Sequence, residues 1–330
     1  MPPSIDSLDL PPFRPRFPWW SADLQTIAVL LGAPASDLAP HRSERLGLCL
    51  ADRSGDILVA MLDRPAAAVA DRPLVVLVHG LTGSEASPHI VSAARHLLDR
   101  GYHVLRLNLR GCGPSRAHCR EHYHMGRTAD FRRVLQLLPE DLTRNGVAAI
   151  GFSMGGAMLL KYLGEEGAFS PLRAAATVCA PLDLALTCEH MLKPRNFFYQ
   201  NYILADLKKE TLGAGGRVSA AERAVIQAAR TVREYDDRFI APRYGFRGAD
   251  DYYALCSPLH YLPEVSVPTL VLASADDPWI PVDSYRDFNW AGNAALLLVL
   301  AEGGGHLGFH AAGSDRPWCD TVLEKFLDRI

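Results

Sequence analysis

Residues 148–163 read AAIGFSMGGAMLLKYL. The stretch opens on small apolar residues, Ala148–Ile150, passes through Gly151-Phe152-Ser153-Met154-Gly155-Gly156, and continues as Ala157–Leu163 with apolar side chains at helical spacing. That pattern is a buried strand handed to a helix through a sharp turn. A serine inside G-x-S-x-G at such a junction sits on strained backbone, against which only residues lacking a Cβ can pack. The helix N-terminus behind it favours developing negative charge. An exposed nucleophile is one reading of Ser153; a packing turn that simply needs small residues is the other. The flanking sequence must decide.

Outward from this stretch the chain alternates. Leu74–Val78 is a valine-rich run suited to a strand buried on both faces, PHIVSAARHLLDRG has helical spacing and stops on Gly101, and YHVLRLNLRG is strand again. TADFRRVLQLLPE predicts a helix capped by Thr128, and LRAAATVCAPLDL a strand after the elbow. From residue 74 to about 185 the order is β-α-β-α-β-α-β, which implies a parallel sheet with right-handed crossovers. The rhythm resumes at VPTLVLASADDPWIP and NAALLLVLAEGGGH and ends in the helix DTVLEKFLDRI. Upstream, ERLGLCLAD and GDILVAMLD flank Arg53-Ser54-Gly55 and predict a hairpin, preceded by the amphipathic SADLQTIAVLLG. Residues 188–262 break the alternation with helical, aromatic-rich segments. The expected organisation is therefore a doubly wound, mostly parallel α/β core formed by 1–187 and 263–330, with 188–262 inserted as a helical cap.

A serine hydroxyl needs a base, and the base needs an orienting acid. In a parallel α/β sheet both are expected downstream, in the order acid then His, at C-terminal ends of strands. His306 lies in Glu302-Gly303-Gly304-Gly305-His306-Leu307-Gly308 after the last strand, where glycines let an imidazole approach the elbow; His310 lacks that setting. Asp276 and Asp277 follow the preceding strand and compete for the acid, with Asp183 a third candidate. Donors for an oxyanion are expected from the backbone N–H groups of Leu81, in the loop Val78–Gly83, and of Met154. His79 in that loop reads as a brace.

Bulk properties set further bounds. The 330 residues are 48% apolar and 22% charged, with a net charge of −3, so no global field favours nucleic acid or an anionic membrane. The seven cysteines are scattered, odd in number and without a CxxC pair, which suits a reducing compartment. The proline-rich opening MPPSIDSLDLPPFRPRFPWW has neither the basic start nor the apolar run of a secretory signal, and no run of about 18 apolar residues occurs. A cytoplasmic protein without an integral membrane anchor is expected. His118, Cys119, His122 and His124 have metal-like spacing, but no second ligand group accompanies them, and no metal or cofactor is expected. Neither G-x-x-x-x-G-K-[ST] nor G-x-G-x-x-G follows a strand, against phosphoryl transfer and dinucleotide binding. Trp279, beside the acid, and Phe197 and Phe198 in the cap are candidate substrate contacts; with Tyr199 and Tyr202, the cap aromatics read equally as lining of an acyl pocket or as the cap's own core.

The chain resembles the YheT-like branch of the α/β-hydrolases. The resemblance is carried by Asp23-Leu24-Gln25-Thr26-Ile27, HGLTGS at 79–84, Asn108-Leu109-Arg110-Gly111-Cys112-Gly113, Tyr123-His124-x-Gly126 with Asp130, and Tyr244-Gly245-Phe246 with Asp251-Tyr252-Tyr253. It spans nearly the whole chain and implies an α/β-hydrolase fold, an esterase or lipase-like activity on acyl esters, and a triad of Ser153, Asp277 and His306. Asp277 opens Asp-x-x-Ile-Pro, which in related hydrolases marks the acid. His124 stands six positions before Asp130, so an H-x4-D acyltransferase signature is not met. Acyl transfer or thioester cleavage on the same triad, or a non-catalytic ligand-binding fold, are the alternatives.

Overall fold

The computed structural model describes residues 8–31, 38–213 and 217–330; the first seven residues of the proline-rich opening lie outside them. Helix α1 (Ala22–Leu30) is capped by the Ser21 hydroxyl. Strands β1 (Arg42–Cys49) and β2 (Ile57–Arg64) then pair antiparallel as the expected hairpin. Next come β3 (Leu74–Val78), α2 (Pro88–Asp99), β4 (Val104–Leu107), α3 (Thr128–Leu137), α4 (Glu140–Thr143), β5 (Val147–Phe152), α5 (Met154–Glu166) and β6 (Leu172–Val178). A helical excursion follows, with α6 (Leu184–Met191), α7 (Phe197–Leu212), α8 (Ala220–Ala228) and shorter turns to Cys256. Strands β7 (Thr269–Ser274) and β8 (Leu296–Ala301) and a final helix, Trp318–Leu327, complete the chain.

These strands make one eight-stranded sheet in the order β1-β2-β4-β3-β5-β6-β7-β8. All pairs from β4 to β8 are parallel, and β1 and β2 add an antiparallel edge. The continuous apolar runs have a direct cause. Leu74, Val76 and Val78 pack with Phe131 of α3 and Leu159 of α5, whereas Val75 and Leu77 pack with Ile90 of α2 and Phe326 of the final helix. Both faces of the strand are therefore dry, and each such side chain is worth roughly 1.5–3 kcal/mol of burial. Thr128 departs from expectation: it is the first helical residue, and its hydroxyl donates to Glu165 of α5 instead of capping its own helix.

The chain reverses direction across the sheet at β3, since β4 lies on one side of it and β5 on the other. Crevices outside the C-terminal strand ends at such a reversal are where open α/β sheets bind ligands. The excursion between β6 and β7 carries an apolar cluster of its own, including Met191, Ile203, Leu207, Phe239 and Tyr252, and Leu81 and Trp279 from the sheet side pack against it.

Candidate active site

Ser153 is the single residue between β5 and α5, with φ 52° and ψ −123°. This strained turn is made possible by its glycines. A Cβ on Gly155 would lie 2.4 Å from the His79 carbonyl oxygen, and one on Gly151 2.5 Å from that of Gly155. The Ser153 N–H donates to Val178 O at 2.8 Å, tying the elbow to β6.

Three side chains that are far apart in sequence meet at this turn. Ser153 Oγ is 2.9 Å from His306 Nε2, and His306 Nδ1 is 2.8 Å from Asp277 Oδ2. All three residues are buried. A carboxylate accepts only, so Nδ1 carries the proton and Nε2 is left to accept from the serine. The Asp277 Oδ1 accepts from the N–H groups of Trp279 (2.8 Å) and Ile280 (3.1 Å), which fixes the carboxylate's angle. The competing acids have other partners. Asp276 Oδ1 accepts from Ser274 Oγ and from the Gly305 N–H, bracing the histidine loop, and Asp183 caps α6 through the Leu186 N–H.

The His306 loop rests on α1. The His306 N–H donates to Thr26 Oγ1 at 2.8 Å, and the His310 N–H to Gln25 Oε1 at 2.8 Å. A Cβ on Gly305 would lie 2.4 Å from Ala22 O, and one on Gly308 2.5 Å from Gln25 O. The role of the Leu-Gln-Thr segment is thus to seat this loop. The sequence marks the segment as amphipathic and, through the resemblance, as a family motif, but neither reading gives it a task.

The loop after β3 lies on the other side of Ser153. A Cβ on Gly80 would come within 3.1 Å of Ser153 Cβ, so the loop is in direct contact with the elbow. Among the described residues, neither the Leu81 nor the Met154 N–H has a backbone acceptor. Thr82 has φ 56° and donates its N–H to the Tyr123 hydroxyl at 2.9 Å; that hydroxyl in turn donates to Glu210 of α7 at 3.1 Å. His79 braces the same loop, with Nδ1 2.7 Å from Gly80 O and Nε2 accepting from the Leu109 N–H, and burial depresses its pKa to about 4. Burial likewise pushes Glu210 up to about 7.

A cavity of about 160 Å³ extends from Ser153 beneath the excursion, lined by Met125, Met191, Ile203, Leu207, Ile240 and Trp279 among others. Trp279, the third candidate contact, lines this cavity and stacks on His306, with centroids 4.3 Å apart and planes 24° apart. Phe197 and Phe198 do not line this cavity. They are 62% and 82% exposed and pack edge-to-face on each other. They occupy the first turn of α7, whose inward stripe is Gln200, Ile203 and Leu207; Phe198 falls on the opposite face of a 3.6-residue turn, whereas Phe197 shares the side of Gln200 and Leu204 but stands at the helix's outer end.

Other motif residues serve as structure. The Arg110 guanidinium is buried among Asp52, Asp56 and Asp130, joining the hairpin to α3. His124 sits among the rings of Tyr244, Phe246 and Tyr252, and burial holds its pKa near 3. His118, Cys119, His122 and His124 do not converge. Among the described residues, the one group of potential ligand atoms within 4.8 Å of one another is Cys179, Asp277 and His306. No helix among the described residues is long and apolar enough to cross a membrane. All seven cysteines are free thiols.

Residues 73–312 match the family described as alpha/beta hydrolase fold. The chain belongs to this family, and to its YheT-like branch. It is 33% identical over 286 residues to the putative esterase YheT of Escherichia coli, covering 83% of this chain and 82% of that protein. It is 32% identical to the medium-chain fatty acid ethyl ester synthase/esterase 2 of Saccharomyces cerevisiae, covering 79% of this chain and 63% of the relative. A bovine protein named phospholipase ABHD3 is also 32% identical, with 78% and 64% covered. The chain therefore spans less than two thirds of the yeast and bovine relatives. An esterase of Pyrococcus furiosus shares the fold, with a TM-score of 0.58 at 15% identity and 97% of both chains covered.

Proposed function

We propose that this chain hydrolyses carboxylic esters of short- to medium-chain acids through an acyl-enzyme formed on Ser153. The observation that carries the reading is the unbroken hydrogen-bond chain Ser153–His306–Asp277 at a strained elbow. In this reading Ser153 Oγ attacks the ester carbonyl carbon as its proton passes to His306 Nε2. Asp277 holds the imidazole in the required tautomer and stabilises the imidazolium. The partnerless N–H groups of Leu81 and Met154 take the oxyanion. His306 then returns its proton to the departing alkoxide, and water, activated by the same imidazole, releases the acid. The apolar cavity beside Ser153 supports an acyl chain as the group it receives. Residues 188–262 act as a cap closing over that chain, on a core built from 1–187 and 263–330. Names of the relatives, esterase and ester synthase/esterase, agree with the reaction class, and the free thiols fit a cytoplasmic setting.

The test is labelling with a fluorophosphonate probe followed by peptide mass spectrometry. The expected adduct is on Ser153, absent in Ser153→Ala and strongly slowed in His306→Ala. A folded wild-type protein that stays unlabelled and hydrolyses no ester would overturn the proposal.

A further inference from the structure

Two cavities meet at Ser153, and they differ in which residues of the site line them. The apolar cavity includes Ser153 and Met154 but not His306. A second cavity, of about 170 Å³, is lined by both Ser153 and His306. Leu81, Ile203 and Trp279 form the partition, since they line both. The geometry of ester cleavage assigns the two. The group that protonates the leaving oxygen must reach it, so the alcohol portion belongs on the side that His306 lines, and the acyl portion on the other.

The second cavity has a distinct charge. Its polar lining includes Thr82, Ser87, His89, Tyr202 and Asp206. Among the described residues lining it, Asp206 is the one carboxylate, and neither lysine nor arginine is present. Asp206 lies beside the Tyr202 hydroxyl. His89 does not offset it: burial depresses its pKa to about 3, so the ring is neutral at physiological pH. Arg116 and Lys209 line, with Asp206, Glu210 and Thr82, a separate hollow.

Resting on the triad reading above, we propose that this second cavity holds the leaving alcohol and selects uncharged alcohols over anionic ones, with Asp206 the specificity-determining residue. The substrate class is then esters of neutral alcohols, such as alkyl or glyceryl esters. Esters whose alcohol carries a phosphate are disfavoured, because the phosphate would sit in a partly desolvated space beside a like charge. A neighbouring charge in such a setting changes relative rates by about tenfold.

The experiment compares two hexanoyl esters differing only in the alcohol, glycerol and glycerol phosphate, by kcat/KM at low and high ionic strength. The expected wild-type preference for the glyceryl ester is at least tenfold. In Asp206→Asn, which keeps shape and removes charge, that preference is expected to fall severalfold, mostly through KM for the phosphorylated ester. Added salt should narrow the wild-type ratio and leave the variant's nearly unchanged. An unaltered ratio in a folded Asp206→Asn protein, or a wild-type preference for the phosphorylated ester, would refute the selection while leaving the triad intact. Rapid fluorophosphonate labelling with turnover of neither ester would refute the assignment of the cavity to the alcohol. If labelling and turnover are both absent, the triad reading itself fails, and this inference with it.

Discussion

Thr26 is 280 residues from His306 in sequence, yet its side chain accepts the buried His306 N–H at 2.8 Å while donating to Ala22 O at 2.8 Å. Thr26→Val keeps the branched shape and removes the acceptor. Two costs follow. A buried N–H left without a partner costs about 1–3 kcal/mol. The replacing methyl also needs roughly half an ångström more room than the oxygen. That room is missing, because the His306 nitrogen already lies 2.8 Å from Thr26 Oγ1. The loop must therefore retreat from α1 and carry the imidazole off its 2.9 Å contact with Ser153. A displacement approaching 1 Å at a reacting group costs up to ~10²-fold in rate. The expected outcome is a kcat lowered 10- to 100-fold, a KM within about threefold of wild type, and a Tm lower by roughly 1–4 °C. Thr26→Ser, which restores the acceptor, should recover most of the kcat. Steady-state kinetics on a hexanoyl ester, the rate of fluorophosphonate labelling and thermal melts would be read together. A folded Thr26→Val protein with kcat within twofold of wild type would show that α1 does not position the histidine. A fall in Tm with unchanged labelling would leave it only a structural role.

Two further outcomes follow from the same geometry. Tyr123→Phe retains the buried ring but removes the hydroxyl that accepts the Thr82 N–H and donates to Glu210; with the neighbouring Leu81 amide less well held, kcat should drop about tenfold at near-constant KM, and an unchanged kcat would dismiss this brace. His122 and His124 are held neutral by burial, both with pKa values lowered from 6.5 to about 3. The unfolded chain takes up their protons below pH 6.5 while the folded one cannot, so this stability is present above pH 6.5 and is lost as pH falls, by up to about 1.4 kcal/mol per unit for each ring. Glu210 and Asp236, both raised by burial to about 7, act oppositely, losing stability as pH rises toward 7. The clean observable is therefore a difference. The Tm of His124→Phe relative to wild type should improve progressively from pH 7.5 to pH 4.5, and a difference independent of pH would contradict a neutral buried His124.

What could be read in advance, and what could not, separates along a physical line. Ser153, Asp277 and His306 were legible because a parallel sheet converts local order into position: a residue just past a buried strand must lie at the sheet's C-terminal edge, whatever its distance along the chain. The choice between Asp276 and Asp277 was harder, since neighbours on one turn point in different directions. The Asp-x-x-Ile-Pro pattern favoured Asp277 through the resemblance alone, and it is the contacts that divide the two physically, one carboxylate holding Gly305 and the other His306. Phe197 and Phe198 mark where the reasoning stopped. Aromatic character predicts burial on average, but which stripe of α7 faces inward is set by what it packs on, and that stripe carries Ile203 and Leu207 instead. Tyr123 could be read as a brace of the loop beside the site, and it holds the Thr82 N–H. The task of Thr26 lay further out of reach: it acts through one hydrogen bond to a backbone N–H of a distant loop, and a backbone donor has no residue identity to pattern-match. The meeting of Ser153, Asp277 and His306 was therefore readable from the sequence, whereas what holds them in register depends on contacts that appear only once the chain has closed on itself. The substitutions that discriminate best are accordingly those at the positioning residues, where the reactive groups stay and only their registration changes.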